Sequence, residues 1–529
     1  MEYLRREFAT YSGRIVGANL QYDLDFLWTA GIRTPKATYA DIQTLQCLID
    51  ERAESYSLEA IAKEYGLGGK LSYHLDMIKQ QYGLNVKENM DQVPAKLVAD
   101  YAIGDATLPL EIYEAQQVKL KAQGLEKVAK LECELLPALL RMTQCGIRVD
   151  FHKLDEIEAM GTRRVNEELS ILSSLADVPI DRKRLRSKTL LPIFEAVTGH
   201  KLTMQALDKE ALASIDHPFA KHLLLARQWQ KLANDFVGSI RKNAVRGRLH
   251  PRYHATRSQS HNYDLSSGVA FGRLSCTNPN IQQQPIRHKE YGKLWRSIFL
   301  PDAGSQFIAA DYAAQEPRMT VDLGVSCGMP SAIAFAKKWQ DDPHMDVHQA
   351  VAEICGIGRI EAKTINLGLT YGMSGGKLCR SLGLPTVKKT NQYKTYDAAG
   401  PEGEALMERY KQRFPFMHAL FYKCQKVAKE RGWVKTLYGR ICHFPGGDKC
   451  YAALNRVIQG SAADQTKQAL VNADAAGLPI QLQVHDEITM SGNQADGEKL
   501  RHIMEDAVKL SVPSVVDCGM GANWGESKE

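Results

Sequence analysis

Read as a pattern of apolar and polar positions, the chain divides into stretches of different texture. Over residues 1–125 short apolar runs alternate with segments of helical period, such as Ile42–Ile49, Ser57–Tyr65 and Ala95–Tyr113, which predicts an α/β unit. Residues 126–240 read as long helices, Lys127–Gln144 and Pro218–Ser239 among them. From Gly272 on, strands and helices mix, with a helical insertion after residue 320. Two apolar runs, Phe307–Ala310 and Ile480–Val484, have the length of buried strands. Each ends in acid: Asp311 after the first, Asp486 and Glu487 after the second. A further helix is predicted over Arg359–Gly372, where Arg359, Lys363, Leu367 and Tyr371 recur every four residues and share one face with a slow drift.

A carboxylate at the end of a buried strand is costly unless something cationic neutralises it. Two of them converging from distant parts of a chain suggest a shared divalent metal site. Two ions about 3.5–4 Å apart can hold both the attacking and the leaving oxygen of an in-line phosphoryl transfer. A surface loop would explain either motif singly but fits poorly with two apolar lead-ins. On the Arg359–Gly372 helix, two cations one turn apart followed by apolar and aromatic positions suit a triphosphate at one end and a base and sugar at the other. The plainer alternative is an amphipathic helix whose basic residues face water. His344 and His348 have helical spacing for a metal, but no third ligand accompanies them.

Bulk properties add limits. The length of 529 residues suggests three or four units, and 44% hydrophobic with 24% charged residues is ordinary for a globular chain. The balance of 67 basic to 61 acidic residues, net +6, permits nucleic-acid binding without arguing for it. Eleven cysteines without a C-x-x-C pair indicate neither a zinc ribbon nor a disulfide framework, and a reducing compartment fits them. With no signal peptide and no membrane-length apolar run, the expectation is a cytoplasmic protein.

The second half carries an ordered set of motifs: Phe271-Gly272-Arg273, Asn278–Gln282 with Pro285-Ile286-Arg287, Asp311 through Glu316 and Arg318, Asp346-Val347-His348, Arg359–Gly372, Thr436–Arg440, Asn455 with Gln459-Gly460, His485-Asp486-Glu487 and Asn523-Trp524. In this order and spacing, over roughly residues 130–529, the chain resembles the family A DNA polymerases, the bacterial DNA polymerase I type with many phage members. The resemblance implies an α/β multidomain fold with a right-hand polymerase domain over 126–529: thumb 126–250, palm 251–320 and 440–529, fingers 321–439. It implies primer–template DNA and dNTPs as partners and two Mg2+ ions as cofactors, with Mn2+ as a substitute. Asp311 and Asp486 match the metal-holding carboxylates; Glu487 is read as a neighbour. Arg359, Lys363, Leu367, Tyr371 and His348 match the nucleotide-binding positions, and Lys363 is the candidate general acid to pyrophosphate. Glu316 matches the sugar gate, where a bulky carboxylate would exclude a ribose 2′-OH. Arg273, Asn455 and Gln459 match readers of the minor groove, with Arg287 and His485 as further DNA contacts. For His485 a purely structural role is the competing reading.

The chain departs from the family pattern at Leu367, usually aromatic, at Pro317, at Phe271 and at Tyr451, where Arg is common. These departures bear on fidelity and speed more than on activity. The run Asp181–Lys188 falls where the family's thumb rides the duplex backbone, although a solvated charged face explains it equally well. The stretch Arg241–Arg257 is also basic.

In the first 125 residues, Asn19–Asp23 with Leu27, and Tyr101–Asp105 with Thr107, resemble the second and third motifs of DnaQ-like 3′–5′ exonucleases. The first motif, an Asp-x-Glu on the opening strand, is not found before Asp23. The expectation is an incomplete, ribonuclease H-like exonuclease domain, inactive although Asp23, Tyr101 and Asp105 are present. Its rival is a site whose missing strand comes from a separate polypeptide or from an upstream start. A processivity factor is a further candidate partner. The expected function is DNA-templated DNA synthesis in replication, with phage origin favoured. The alternatives are a related single-subunit RNA polymerase, which Glu316 argues against, and an inactive DNA-binding module, which the intact carboxylates and cations argue against.

Overall fold

The two acid-terminated runs form strands of one sheet. Gln306–Tyr312 lies between Glu487–Gly492 and Val516–Gly521, with Ile480–Val484 outside Glu487–Gly492, and every pairing is antiparallel. Phe307, Ile308, Ala309 and Ala310 are all buried, so both faces of this strand are covered and the run is continuously apolar rather than alternating. The helices Glu126–Cys145, Ala453–Ala475 and Gln494–Glu505 pack on the sheet. In this computed structural model the described chain omits residues 1, 69–71, 84–88, 187, 202–208, 256–270, 287, 371, 392–394 and 529, with backbone alone at 72–75, 97, 100, 186, 210, 214, 354, 367, 369 and 370. The expectations for Arg287 and Tyr371 therefore lie outside the described residues, and of Leu367 only the backbone is described.

One apolar core runs from this sheet into the long helices before it. The helix Phe151–Ala176 starts where Asp150 caps it, its carboxylate accepting from Lys153 N at 3.0 Å, and packs along Pro218–Gln230. The single helix expected over Pro218–Ser239 is instead α-helical to Gln230, π-helical over Lys231–Phe236 and α-helical again over Val237–Asn243. A period of 3.6 cannot reveal such a bulge. The basic stretches are largely engaged within the protein. Arg182 reaches Asn166 at 2.9 Å, Arg241 pairs with Asp155 and Glu158, Arg248 with Asp302, and Arg252 with Asp25. Lys183, Lys188, Lys242 and Arg246 are exposed.

The insertion has its own core around Met319, Trp339, Ile365, Phe414, Phe416 and Leu420. It is mostly helical, as expected, but an unforeseen hairpin, Thr386–Thr390 with Thr395–Ala399, interrupts it. The first 125 residues hold two parallel strands, Arg14–Gly17 and Thr38–Asp41, among helices. They dock on the rest partly through Glu51, which accepts from His443 N at 2.6 Å and faces its Nδ1 at 2.7 Å. No helix of the described residues is long and apolar enough to cross a membrane.

Candidate active site

Val484 pairs with Glu487, so His485 and Asp486 form a two-residue hairpin turn, and Glu487 pairs in turn with Asp311. His485 takes φ 62°, a left-handed conformation that Gly would occupy at less cost. That turn sets Asp486 beside the end of the Asp311 strand, and Tyr312 N donates to Asp486 O at 3.4 Å. Burial first, and then the Asp311 charge, push the Asp486 carboxyl up to about 7. Asp311 Oδ1 is buried with no hydrogen-bond partner, whereas Oδ2 accepts from Lys528 Nζ at 2.8 Å. A raised carboxyl and an orphaned carboxylate oxygen side by side are what a site built around cations looks like without them. The donor set is all oxygen and fits a hard divalent ion. Glu487, adjacent to Asp486, is engaged within the protein. Its Oε1 accepts from Trp524 Nε1 at 2.7 Å and its Oε2 lies 3.2 Å from Lys528 Nζ.

A cleft beside Asp486 is lined by Arg273, Gln315, Glu316, Gln483 and His485. Glu316 falls in the first turn of the helix Gln315–Ser326, where Pro317 is also tolerated. Arg273 Nη2 donates to Glu316 Oε1 at 2.7 Å, so the expected groove reader and the expected sugar gate are ion-paired. Burial raises the Glu316 carboxyl, and Arg273 opposes this. Asn455 and Gln459 lie one turn apart near the start of the helix Ala453–Ala475. Asn455 Oδ1 is buried without a partner. His485 is exposed on the cleft, which favours contact with a bound molecule over a core role.

The expected cationic helix is Arg359–Thr370, with Arg359 and Lys363 both exposed. Asp346 caps the helix Val347–Cys355 and holds Arg359 Nε at 2.6 Å, bringing His348 and Arg359 into one cluster. His348 is buried, and burial first, then Lys363, hold its pKa below the usual value. Asn366 Nδ2 lies 3.2 Å from His348 Nδ1, and Tyr410 donates to Asn366 Oδ1 at 2.7 Å. With its carbonyl accepting from Tyr410, Asn366 can offer His348 a donor, an arrangement that suits a neutral ring protonated on Nε2. No third metal ligand joins His344 and His348 among the described residues.

In the first unit, Asp23 on Leu20–Thr29 and Tyr101 and Asp105 on Ala95–Gln123 do come together. Tyr101 is hydrogen-bonded to Asp105, and burial followed by this bond pushes its phenol up to about 12. Burial, and to a lesser degree the Asp105 charge, raise the Asp23 carboxyl.

Sequence reasoning missed Lys528 and Trp524 as partners of the carboxylates, and Asn366 with Tyr410 behind His348. No spacing signal marks them, because each reaches the site through tertiary packing. It also missed a buried ionic quartet in which Glu132 and Arg440 meet Asp464 and Lys467, both on the helix that carries Asn455 and Gln459.

Two carboxylates at the strand ends of a central antiparallel sheet, together with a cationic helix in a separate insertion, are the parts a nucleotide-polymerising enzyme uses. The model of DNA polymerase family A matches residues 155–526, and the chain belongs to that family, as a DNA-directed DNA polymerase. It is 39% identical to the DNA-directed DNA polymerase of Pseudomonas phage M6, over 100% of this chain and 85% of that one. It is 29% identical to DNA polymerase DpoZ of Vibrio phage phiVC8, over 100% and 89%, and 29% identical to DNA polymerase I of Pseudomonas aeruginosa, over 97% and 56%. In fold it resembles the POL domain of Pol1 from M. smegmatis, solved with DNA primer-template and dNTP. That match has a TM-score of 0.78 at 24% identity and covers 100% of this chain and 89% of that one.

Proposed function

We propose that this polymerase extends a primer 3′-OH with deoxynucleotides by two-metal phosphoryl transfer, with Asp311 and Asp486 holding the ions. The observation that carries this is the orphaned Asp311 Oδ1 beside an Asp486 carboxyl raised to about 7. Magnesium, or manganese in its place, would supply acidification of the primer hydroxyl and charge neutralisation on the transferred phosphate. The chain's own groups do the rest. Arg359, oriented by Asp346, and Lys363 bind the triphosphate, and Lys363 protonates the departing pyrophosphate. Neutral His348 gives the phosphates a donor without adding charge. Glu316, held by Arg273, fills the space a ribose 2′-OH would need. Leu367 and Tyr371 are assigned to the base and sugar, and Arg273, Arg287, Asn455, Gln459 and His485 to the primer–template, as the family resemblance implies.

The division of labour follows the thumb 126–250, the palm 251–320 and 440–529, and the fingers 321–439. Residues 1–125 are a scaffold in which Asp23, Tyr101 and Asp105 form part of an exonuclease site, too few to hold two ions without a further strand. A separate polypeptide supplying that strand, and a processivity factor, are the accessory partners to look for. The protein serves DNA replication, in a phage context that its phage relatives support.

Asp311→Asn and Asp486→Asn test the core of this. Each is expected to lower extension by several orders of magnitude while leaving duplex affinity nearly intact. Retention of about a tenth of wild-type kcat, a barrier raised by only about 1.4 kcal/mol, would refute the assignment. Extension with dNTPs but not rNTPs separates this reading from an RNA polymerase.

A further inference from the structure

We propose that Lys528 is a built-in counter-cation of the catalytic carboxylates. In the metal-free enzyme it neutralises Asp311 and Glu487, and it gives up Asp311, while keeping Glu487, when a divalent ion enters. The inference rests on the metal site proposed above. Three carboxylates meet at the strand ends, and Lys528 Nζ lies 2.8 Å from Asp311 Oδ2 and 3.2 Å from Glu487 Oε2. Without that ammonium the three would repel one another in a partly buried cleft.

The lysine does not drift there by chance, because the tail that carries it is seated. Trp524 is fully buried between Phe299 and Phe307, with ring centroids 5.4 and 6.2 Å away. The backbone around Ser527 lies so close to the strand Val516–Gly521 that a Cβ on Gly519 would sit 1.9 Å from Ser527 O, and one on Gly521 2.7 Å from Ser527 N. Only glycine fits at either place, so the strand is shaped to receive the tail.

The two contacts of Lys528 differ in kind. Both oxygens of Glu487 are taken, one by Trp524 and one by Lys528. Asp311 keeps one buried oxygen unpartnered, the coordination position an arriving ion would use first. A metal there competes with the ammonium for the same carboxylate. Lysine suits the exchange, since its charge rides on a flexible stem and can swing toward Glu487 alone. Lys528 thus sets how strongly the empty site attracts metal, and it keeps Glu487 from joining the ligands.

The test uses the full chain without DNA, titrated with Mn2+ while free Mn2+ is followed by EPR, alongside thermal melts in EDTA. Lys528→Met should bind Mn2+ at least about fivefold more tightly, the size of one unit-charge repulsion across roughly 4 Å screened as in water. It should also melt lower than wild type in EDTA, with Mn2+ restoring the difference. Lys528→Arg keeps the charge and should bind Mn2+ no more tightly than wild type. Unchanged or weaker Mn2+ binding by Lys528→Met would overturn the proposal. Asp311→Asn serves as the control. If it leaves Mn2+ binding intact, the metal site itself is misassigned; if it abolishes binding while Lys528→Met is silent, only the counter-cation role falls.

Discussion

Glu132→Leu is a demanding probe of how the palm is held together. Glu132 comes from the helix Glu126–Cys145, is 3% exposed, and accepts from Arg440 Nη2 and Lys467 Nζ, both at 2.5 Å. Asp464 accepts from Arg440 Nε at 3.0 Å and from Thr436. Two cations and two carboxylates balance with almost no water. Removing Glu132 leaves Arg440 its Asp464 but strands Lys467, which is 1% exposed. Breaking a buried pair in this way costs about 3–5 kcal/mol. Burial already depresses the Lys467 pKa, so loss of its proton would hold the cost to the lower part of that range. For a cooperative unit of about 400 residues the unfolding entropy is about 0.8 kcal/mol per kelvin, so the Tm should fall by about 4–5 °C. Glu132→Leu with Lys467→Met removes both stranded charges, keeps the Arg440–Asp464 pair, and should recover most of the loss. Melts followed by circular dichroism at fixed pH and salt provide the comparison. A single variant within about 1 °C of wild type, or a double variant no better than the single, would show that the quartet is not a closed ionic unit.

Three further outcomes are expected. Glu316→Ala should raise the rNTP/dNTP ratio of kcat/KM by about 5- to 150-fold, the equivalent of about 1–3 kcal/mol for a 2′-OH that no longer meets a desolvating wall; an unchanged ratio means another residue gates the sugar. His443 has its pKa raised, chiefly by its hydrogen bond to Glu51. The docking of residues 1–125 should therefore be fully stabilised below about pH 6.5 and weaken as the pH rises through the folded-state value, by about 1 kcal/mol. Denaturation across that range should show the slope in wild type and not in His443→Gln, and equal slopes would count against the pair. Finally, the purified chain should not trim a labelled single-stranded 3′ end with Mg2+ or Mn2+; robust trimming abolished by Asp23→Ala would mean that another residue replaces the first exonuclease motif.

Much of the architecture was legible in one dimension because its causes are local. Two apolar runs each ending in acid read as buried strands delivering carboxylates better than as surface loops, and Gln306–Tyr312 and Ile480–Val484 are such strands. The four-residue recurrence of Arg359 and Lys363 implied a helix, and Arg359–Thr370 is one. Family resemblance named the partners of that chemistry. What the sequence left open depended on contacts between residues hundreds of positions apart. Periodicity could not show the π-helical turn at Lys231–Phe236 or the hairpin at Thr386–Ala399, since neither changes the apolar count. The stretch from Arg241 read simply as basic, and three of its arginines are consumed by Asp155, Glu158, Asp302 and Asp25. Charge pairing is decided by what the fold brings within about 4 Å, a distance along which sequence separation has no meaning. The same holds at the active site. The identity of Asp311, Asp486 and Glu316 lay in the sequence, but the tertiary structure alone put Arg273 on Glu316, Asn366 on His348 and Lys528 on Asp311.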